Sequence, residues 1–151
     1  MSARPGEAVL RGAAAGCALL NAVVHLMLVP EHLAEVPYVG GLFLVGGVAL
    51  VVAALGLARR NPTPAWVLGA LVSAGMVLGF ALSRPVGLPG YHEEGWEPPY
   101  GISALVTEVT FLVALGAWWG VTAARTPAAP GARPGSSVRN GQRPRTPRPA
   151  P

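Results

Sequence analysis

Apolar residues fill four long stretches of the chain, and polar residues are confined to short segments between them. The first stretch, Gly12–Val29 (GAAAGCALLNAVVHLMLV), carries no formal charge; Tyr38–Ala58, Pro64–Ser83 and Ile102–Ala124 follow it. Each is close to the roughly 17–25 residues a helix needs to cross the hydrocarbon core of a bilayer. Backbone N–H and C=O groups in lipid must be satisfied within the segment, which selects helices for such runs. Pro30, Pro37, Pro62, Pro64, Pro85, Pro98 and Pro99 fall at the ends of the runs, where proline interrupts least. The pattern predicts an all-α, polytopic membrane protein: a four-transmembrane-helix bundle over residues 12–124, a short N-terminal segment 1–11 and a tail 125–151. The first run is read as a retained span, because it is long and no small-residue cleavage site follows it.

Composition agrees with this reading. The chain is 52% hydrophobic and 12% charged, against about 25% charged for an ordinary soluble domain, so too little polar surface exists to cover a water-exposed globule. Its 11 basic residues are all arginine and its seven acids all glutamate. All the arginines but Arg84 fall on one side of the four predicted spans. By the positive-inside rule both termini are expected to be cytoplasmic. Arginine without lysine and abundant Ala, Gly, Pro and Val suggest a GC-rich bacterial genome, so the expected location is a bacterial cytoplasmic membrane. Tyr38, Tyr91, Trp96 and Tyr100 then mark the outer interface, and Trp66, Trp118 and Trp119 the inner one. The tail, Arg125–Pro151, holds six arginines, seven prolines and no acid. That composition predicts disorder, with positive charge free to meet anionic lipid. The high pI of about 10.2 comes largely from this tail and not from a folded basic face, so no nucleic-acid partner is expected. The GxxxG pairs Gly12/Gly16, Gly75/Gly79 and Gly116/Gly120 are read as sites of close helix packing within the chain.

Candidate chemistry gathers at the outer end. The loop Pro30–Pro37 (PEHLAEVP) brings Glu31, His32 and Glu35. The loop 83–101 brings Arg84, His92, Glu93, Glu94, Trp96 and Glu97. Two further groups lie inside spans: His25, roughly 7–8 Å below the outer end of the first, and Glu108, roughly 9 Å below that of the fourth, at a rise of ~1.5 Å per residue. Ionisable side chains at such depth face a partner or a wet cavity. Cys17, Asn21 and His25 recur every four residues and form a polar stripe expected to face the bundle. An Arg84–Glu108 ion pair is the simplest way to satisfy both groups, and GLPG (Gly87–Gly90) predicts a tight turn folding the loop over the bundle, with Trp96 as a lid or an interfacial anchor. His25, Glu31, His32, Glu35 and Glu108 supply imidazole and carboxylate donors of the kind that bind a transition metal. They equally suit a proton relay or a purely structural network, and no compact H-x-x-x-H or H-E-x-x-H spacing selects the metal. No nucleophile–base pair, phosphate loop or dinucleotide fingerprint is present, so no catalytic residue is assigned and an enzyme is not expected.

The stretches HLMLVPEHLAEVPYVGGLFL (His25–Leu44) and LSRPVGLPGYHEEGWEPPYGISALVTE (Leu82–Glu108) resemble small four-helix integral membrane proteins of actinobacteria and related bacteria, with HxxxxPEHxxE and SRxxGLPG motifs. The resemblance spans roughly Gly12 to Ala124. It implies the four-span architecture and marks His25, Glu31, His32, Glu35, Arg84, Trp96, Glu97 and Glu108 as motif positions; it implies no activity. Where this chain has SRPVGLPG, a threonine is expected near Pro85. Two functional expectations follow: an outward His/Glu/Arg pocket that binds a cation or metal or relays protons, or a non-catalytic accessory subunit bound to a protein partner or to its own copies.

Overall fold

The computed structural model describes residues 5–96 and 98–124. These form four α-helices and no strand beyond a single bridge between Leu88 and Tyr91. The helices are α1 (Pro5–Glu35), α2 (Pro37–Leu57), α3 (Thr63–Ser83) and α4 (Tyr100–Ala123), and all four are long and apolar enough to span a membrane. Each packs on its neighbours in sequence and α4 closes against α1, giving an antiparallel ring. The all-helical expectation is met, with four helices of the length and apolarity a membrane span needs. The tail 125–151 and Glu97 lie outside the described residues.

The main departure from the predicted boundaries is α1, which runs on for 31 residues through the segment expected to be a loop. Pro30 sits inside it. Proline removes one ladder hydrogen bond and crowds the carbonyl four residues back, a defect that membrane helices tolerate. Glu31 and Glu35 stay on the exposed side of this last stretch while His32 is buried, so PEHLAE is a helix end with a single side chain turned inward. The predicted outer loop shrinks to Val36, which is extended at φ −140°, ψ 94°. Steric conflict with the following ring pushes a pre-proline residue into that region, and Pro37 then opens α2 where its missing N–H costs nothing. The one-residue corner brings the helices so close that a Cβ on Gly40 would lie 2.5 Å from the Leu33 backbone nitrogen.

The opposite half of the bundle is a conventional core. Ala14, Ala18, Leu50, Ala54 and Leu57 are buried around Trp66, Phe111 and Trp118. Trp66 and Trp118 stack at 5.4 Å and 27°, and Phe111 meets Trp66 at 5.4 Å. This corrects the predicted inner belt: Trp119 alone of the three faces outward, 67% exposed, while Trp66 and Trp118 are core residues. The GxxxG expectation also fails. A Cβ on Gly12, Gly16, Gly75, Gly79, Gly116 or Gly120 would meet nothing within 4 Å, so none of the three pairs mediates close packing inside the chain.

Arg11 takes a role the sequence did not signal. Its Nε donates to the Leu57 carbonyl at 2.7 Å and its Nη2 to the Arg59 carbonyl. It thus satisfies acceptors at the C-terminal end of α2, where a cation also complements the helix dipole. Arg11→Ala is expected to lower stability by about 1–2 kcal/mol, measured by denaturant titration in mixed micelles, with Arg11→Lys recovering part of the loss.

Candidate functional site

At the corner end, the four helices do not close on each other. A cavity of about 370 Å³ lies between them, walled chiefly by apolar side chains of α2 and α3 and covered by Leu88, Tyr91 and Glu93 of the 84–99 connection. Such a volume is in the ordinary range for small-molecule sites. His25 from α1 and Glu108 from α4 line it. Both are buried, at 5% and 2% exposure, and His25 Nε2 stands 3.9 Å from Glu108 Oε1. The depth arithmetic on two antiparallel helices therefore brings together the two residues it singled out. Because both helices extend beyond their predicted ends, the pair is deeper than expected: Glu108 is eight residues from the start of α4, or roughly 12 Å at ~1.5 Å per residue.

Asn21 completes this floor. Its Nδ2 donates to Glu108 Oε1 at 3.3 Å, and its carbonyl accepts from His25 Nδ1 at 3.0 Å. The Asn21–His25 stripe is bundle-facing as predicted, whereas Cys17 is only partly buried. A carbonyl only accepts, so Nδ1 of His25 carries a proton and Nε2 is the atom offered to Glu108. At 3.9 Å the two atoms are within ion-pair distance but too far apart for a direct hydrogen bond. The side-chain oxygen Oδ1 of Asn21 is buried with no protein partner, so this floor is not a self-satisfied network.

A second polar chain lies nearer the mouth. His32 Nδ1 donates to the Leu28 carbonyl at 3.0 Å, and its Nε2 is 3.3 Å from the Tyr91 hydroxyl. That hydroxyl donates to Glu93 Oε2 at 3.0 Å, and Glu93 pairs with Arg84 Nη2 at 3.6 Å. Arg84 is further held by donation to the carbonyls of Gly95 and Phe80, both at 2.8 Å, and it lies over the Phe80 ring at 3.4 Å. The predicted Arg84–Glu108 pair is thus replaced by Arg84–Glu93 and His25–Glu108. The physical reason is the fold-back of the connection. Gly87 and Gly90 adopt φ of 79° and 70°, which only glycine reaches without strain. Leu88 and Tyr91 exchange two hydrogen bonds, and Glu93 N–H donates to the Ser83 carbonyl at 3.1 Å. The expected GLPG turn is therefore present, and it delivers Glu93 to Arg84 before Glu108 is within reach.

The five residues named as a metal set separate in space. His25 and Glu108 share the floor, His32 belongs to the Tyr91 chain, and Glu31 and Glu35 are exposed on α1. Among the described residues no three His, Cys, Asp or Glu side chains converge as a metal cage would require. His92 and Glu94 are exposed. Trp96 is 61% exposed with its ring 5.8 Å from Phe80, so it borders the mouth without covering it. Phe43, which sequence reasoning passed over, separates the two polar chains, with its ring 4.8 Å from His25 and 4.3 Å from His32. It gave no signal because one phenylalanine in an apolar run is indistinguishable from its neighbours. No protein-family model matches this chain, and comparisons with curated proteins and with solved structures return no match.

Proposed function

We propose that this chain is a bacterial cytoplasmic-membrane protein whose corner end faces outward, and that His25 and Glu108 form a buried proton-exchanging site at the floor of its cavity. The observation that carries the reading is the pairing itself: a buried carboxylate 3.9 Å from an imidazole nitrogen whose other nitrogen is committed to a backbone carbonyl. With Nδ1 protonated, one further proton suffices for the pair, on Nε2 or on the carboxyl. Moving it between them, once the side chains close from 3.9 Å to hydrogen-bond distance, converts a neutral pair into an ion pair without changing the net charge. Buried ionisable groups in membrane spans are costly and mark ion or proton paths. The arginine asymmetry supports the orientation. The His32–Tyr91–Glu93 chain supplies a matching arrangement nearer the mouth. Here His32 Nδ1 donates to a carbonyl, its Nε2 lies 3.3 Å from the Tyr91 hydroxyl, and that hydroxyl donates to Glu93.

Infrared spectroscopy of the protein in lipid tests this reading. A protonated carboxyl C=O band is expected at low pH, disappearing as pH rises, absent from Glu108→Gln and shifted in His25→Ala. A band unchanged in Glu108→Gln, or no titrating band in the wild type, would overturn the reading. The divergent donors favour a proton over a metal ion as the occupant of this pair. An accessory-subunit role receives no specific support from the geometry.

A further inference from the structure

The cavity above the pair has features that a proton alone does not require. Three of its lining residues, Leu42 and Val45 on α2 and Leu71 on α3, are also among the most exposed apolar side chains of the molecule. The cavity is therefore continuous with the outer surface of the spans between α2 and α3, which in a bilayer is lipid. The room comes from Gly75 and Gly79, which line the cavity and where a side chain would meet nothing within 4 Å. The site thus combines a lipid-facing side opening, an apolar body and a polar floor.

Charge selects the ligand. The titratable or charged groups on the wall are His25 from α1, Glu108 and Tyr100 from α4, Arg84 at the end of α3, and Tyr91 and Glu93 from the connection; α2 contributes none. Arg84 is occupied by Glu93 at 3.6 Å. The acid at the floor, Glu108, has the His25 imidazole and the Asn21 amide beside it and, among the described residues, no guanidinium. An anionic ligand would meet that carboxylate with no guanidinium beside it, and an alcohol would gain a hydrogen bond there but no charge interaction. A cation satisfies it, and an alkyl chain fills the apolar remainder.

We propose, resting on the proton-exchange reading of the pair, that the cavity takes a lipid-soluble alkylamine from the bilayer, its ammonium on Glu108 and its chain between α2 and α3. The ammonium and a proton compete for one carboxylate. Binding to the protonated site releases the carboxyl proton, through His25 to water at the mouth, while the ammonium keeps its own three. Affinity therefore rises with pH until the amine itself deprotonates, near the ~10.4 of a lysine-like ammonium.

The test uses radiolabelled decylamine and full-length protein immobilised in a mild detergent. Saturable binding of about one amine per chain is expected, tightening as pH rises. Glu108→Gln is expected to weaken it at least tenfold. Gly79→Leu fills the cavity without touching the pair, and is expected to abolish binding while keeping the titrating carboxyl band that reports a folded site. Unlabelled decylamine should displace the label, and decanol and decanoate should not. Displacement by decanol as effective as by decylamine, or binding unchanged in Glu108→Gln or in Gly79→Leu, would overturn the proposal. A titrating carboxyl band in protein that binds no decylamine sinks the amine alone. Glu108-dependent amine binding with no titrating band sinks the proton reading alone.

Discussion

Phe111→Ala is expected to lower the unfolding free energy by about 3 kcal/mol, the low end of the range for deleting a buried aromatic ring. Phe111 is 1% exposed, and its ring tip rests directly on the α3 backbone at Gly69, where no side chain intervenes. It also meets Trp66 on that helix. Of the 21 residues of α3, only Ala65, Trp66, Gly69, Ser73 and Ser83 are buried. Phe111 is therefore a principal tie between α3 and α4. Lipid tails are as apolar as the core, so the loss is one of van der Waals contact rather than of water exclusion. Denaturant titration in mixed micelles measures it, and Phe111→Leu should recover most of the loss. A change under 1 kcal/mol for the alanine variant would mean that α3 is held mainly elsewhere.

Gly40→Val is expected to be at least as damaging, by about 3 kcal/mol or more, because small-to-large changes that meet backbone cannot be relieved by a rotamer. The clash is with the backbone nitrogen and Cα of Leu33, at 2.5 and 2.8 Å from the added Cβ. Relief requires opening the Val36 corner. That corner sets the position of Phe43 against both histidines, so the variant should perturb the Glu108 carboxyl band as well as stability. Phe111→Ala, acting in the other half of the bundle, should leave the band in place. Even Gly40→Ala carries the offending atom, and a wild-type-like alanine variant would show that the corner is softer than described.

The spans were legible because length and apolarity alone decide them in a membrane. Which face of each span is buried was not, because residues facing lipid and residues facing the bundle are equally apolar. Trp66 and Trp118 illustrate this: an aromatic ring near a span end suits an interface belt, and only packing reveals the stack. The shared depth of His25 and Glu108 was legible because a fixed rise per residue turns sequence position into depth, but their pairing was not, since Arg84 was the expected partner of Glu108. The partner of Arg84 was not, since it depends on a connection whose path is set by two positive-φ glycines and one backbone hydrogen bond. The continuation of α1 through Pro30 was hidden for another reason. PEHLAE has the charge and proline content of a loop, and its helical character lies in the placement of His32 alone on the buried side.

The unequal lengths of the helices have a consequence for how the protein sits in lipid. At ~1.5 Å per residue, α2 and α3, with 21 residues each, span roughly 31 Å, close to the ~30 Å thickness of a typical hydrocarbon core. By the same measure the 31 residues of α1 reach roughly 46 Å. The shorter pair fixes the fit, and a thicker bilayer is accommodated by tilt or local thinning. The cavity lies between those two helices, so in a bilayer they span, the hydrocarbon thickness would set how far its polar floor lies from water.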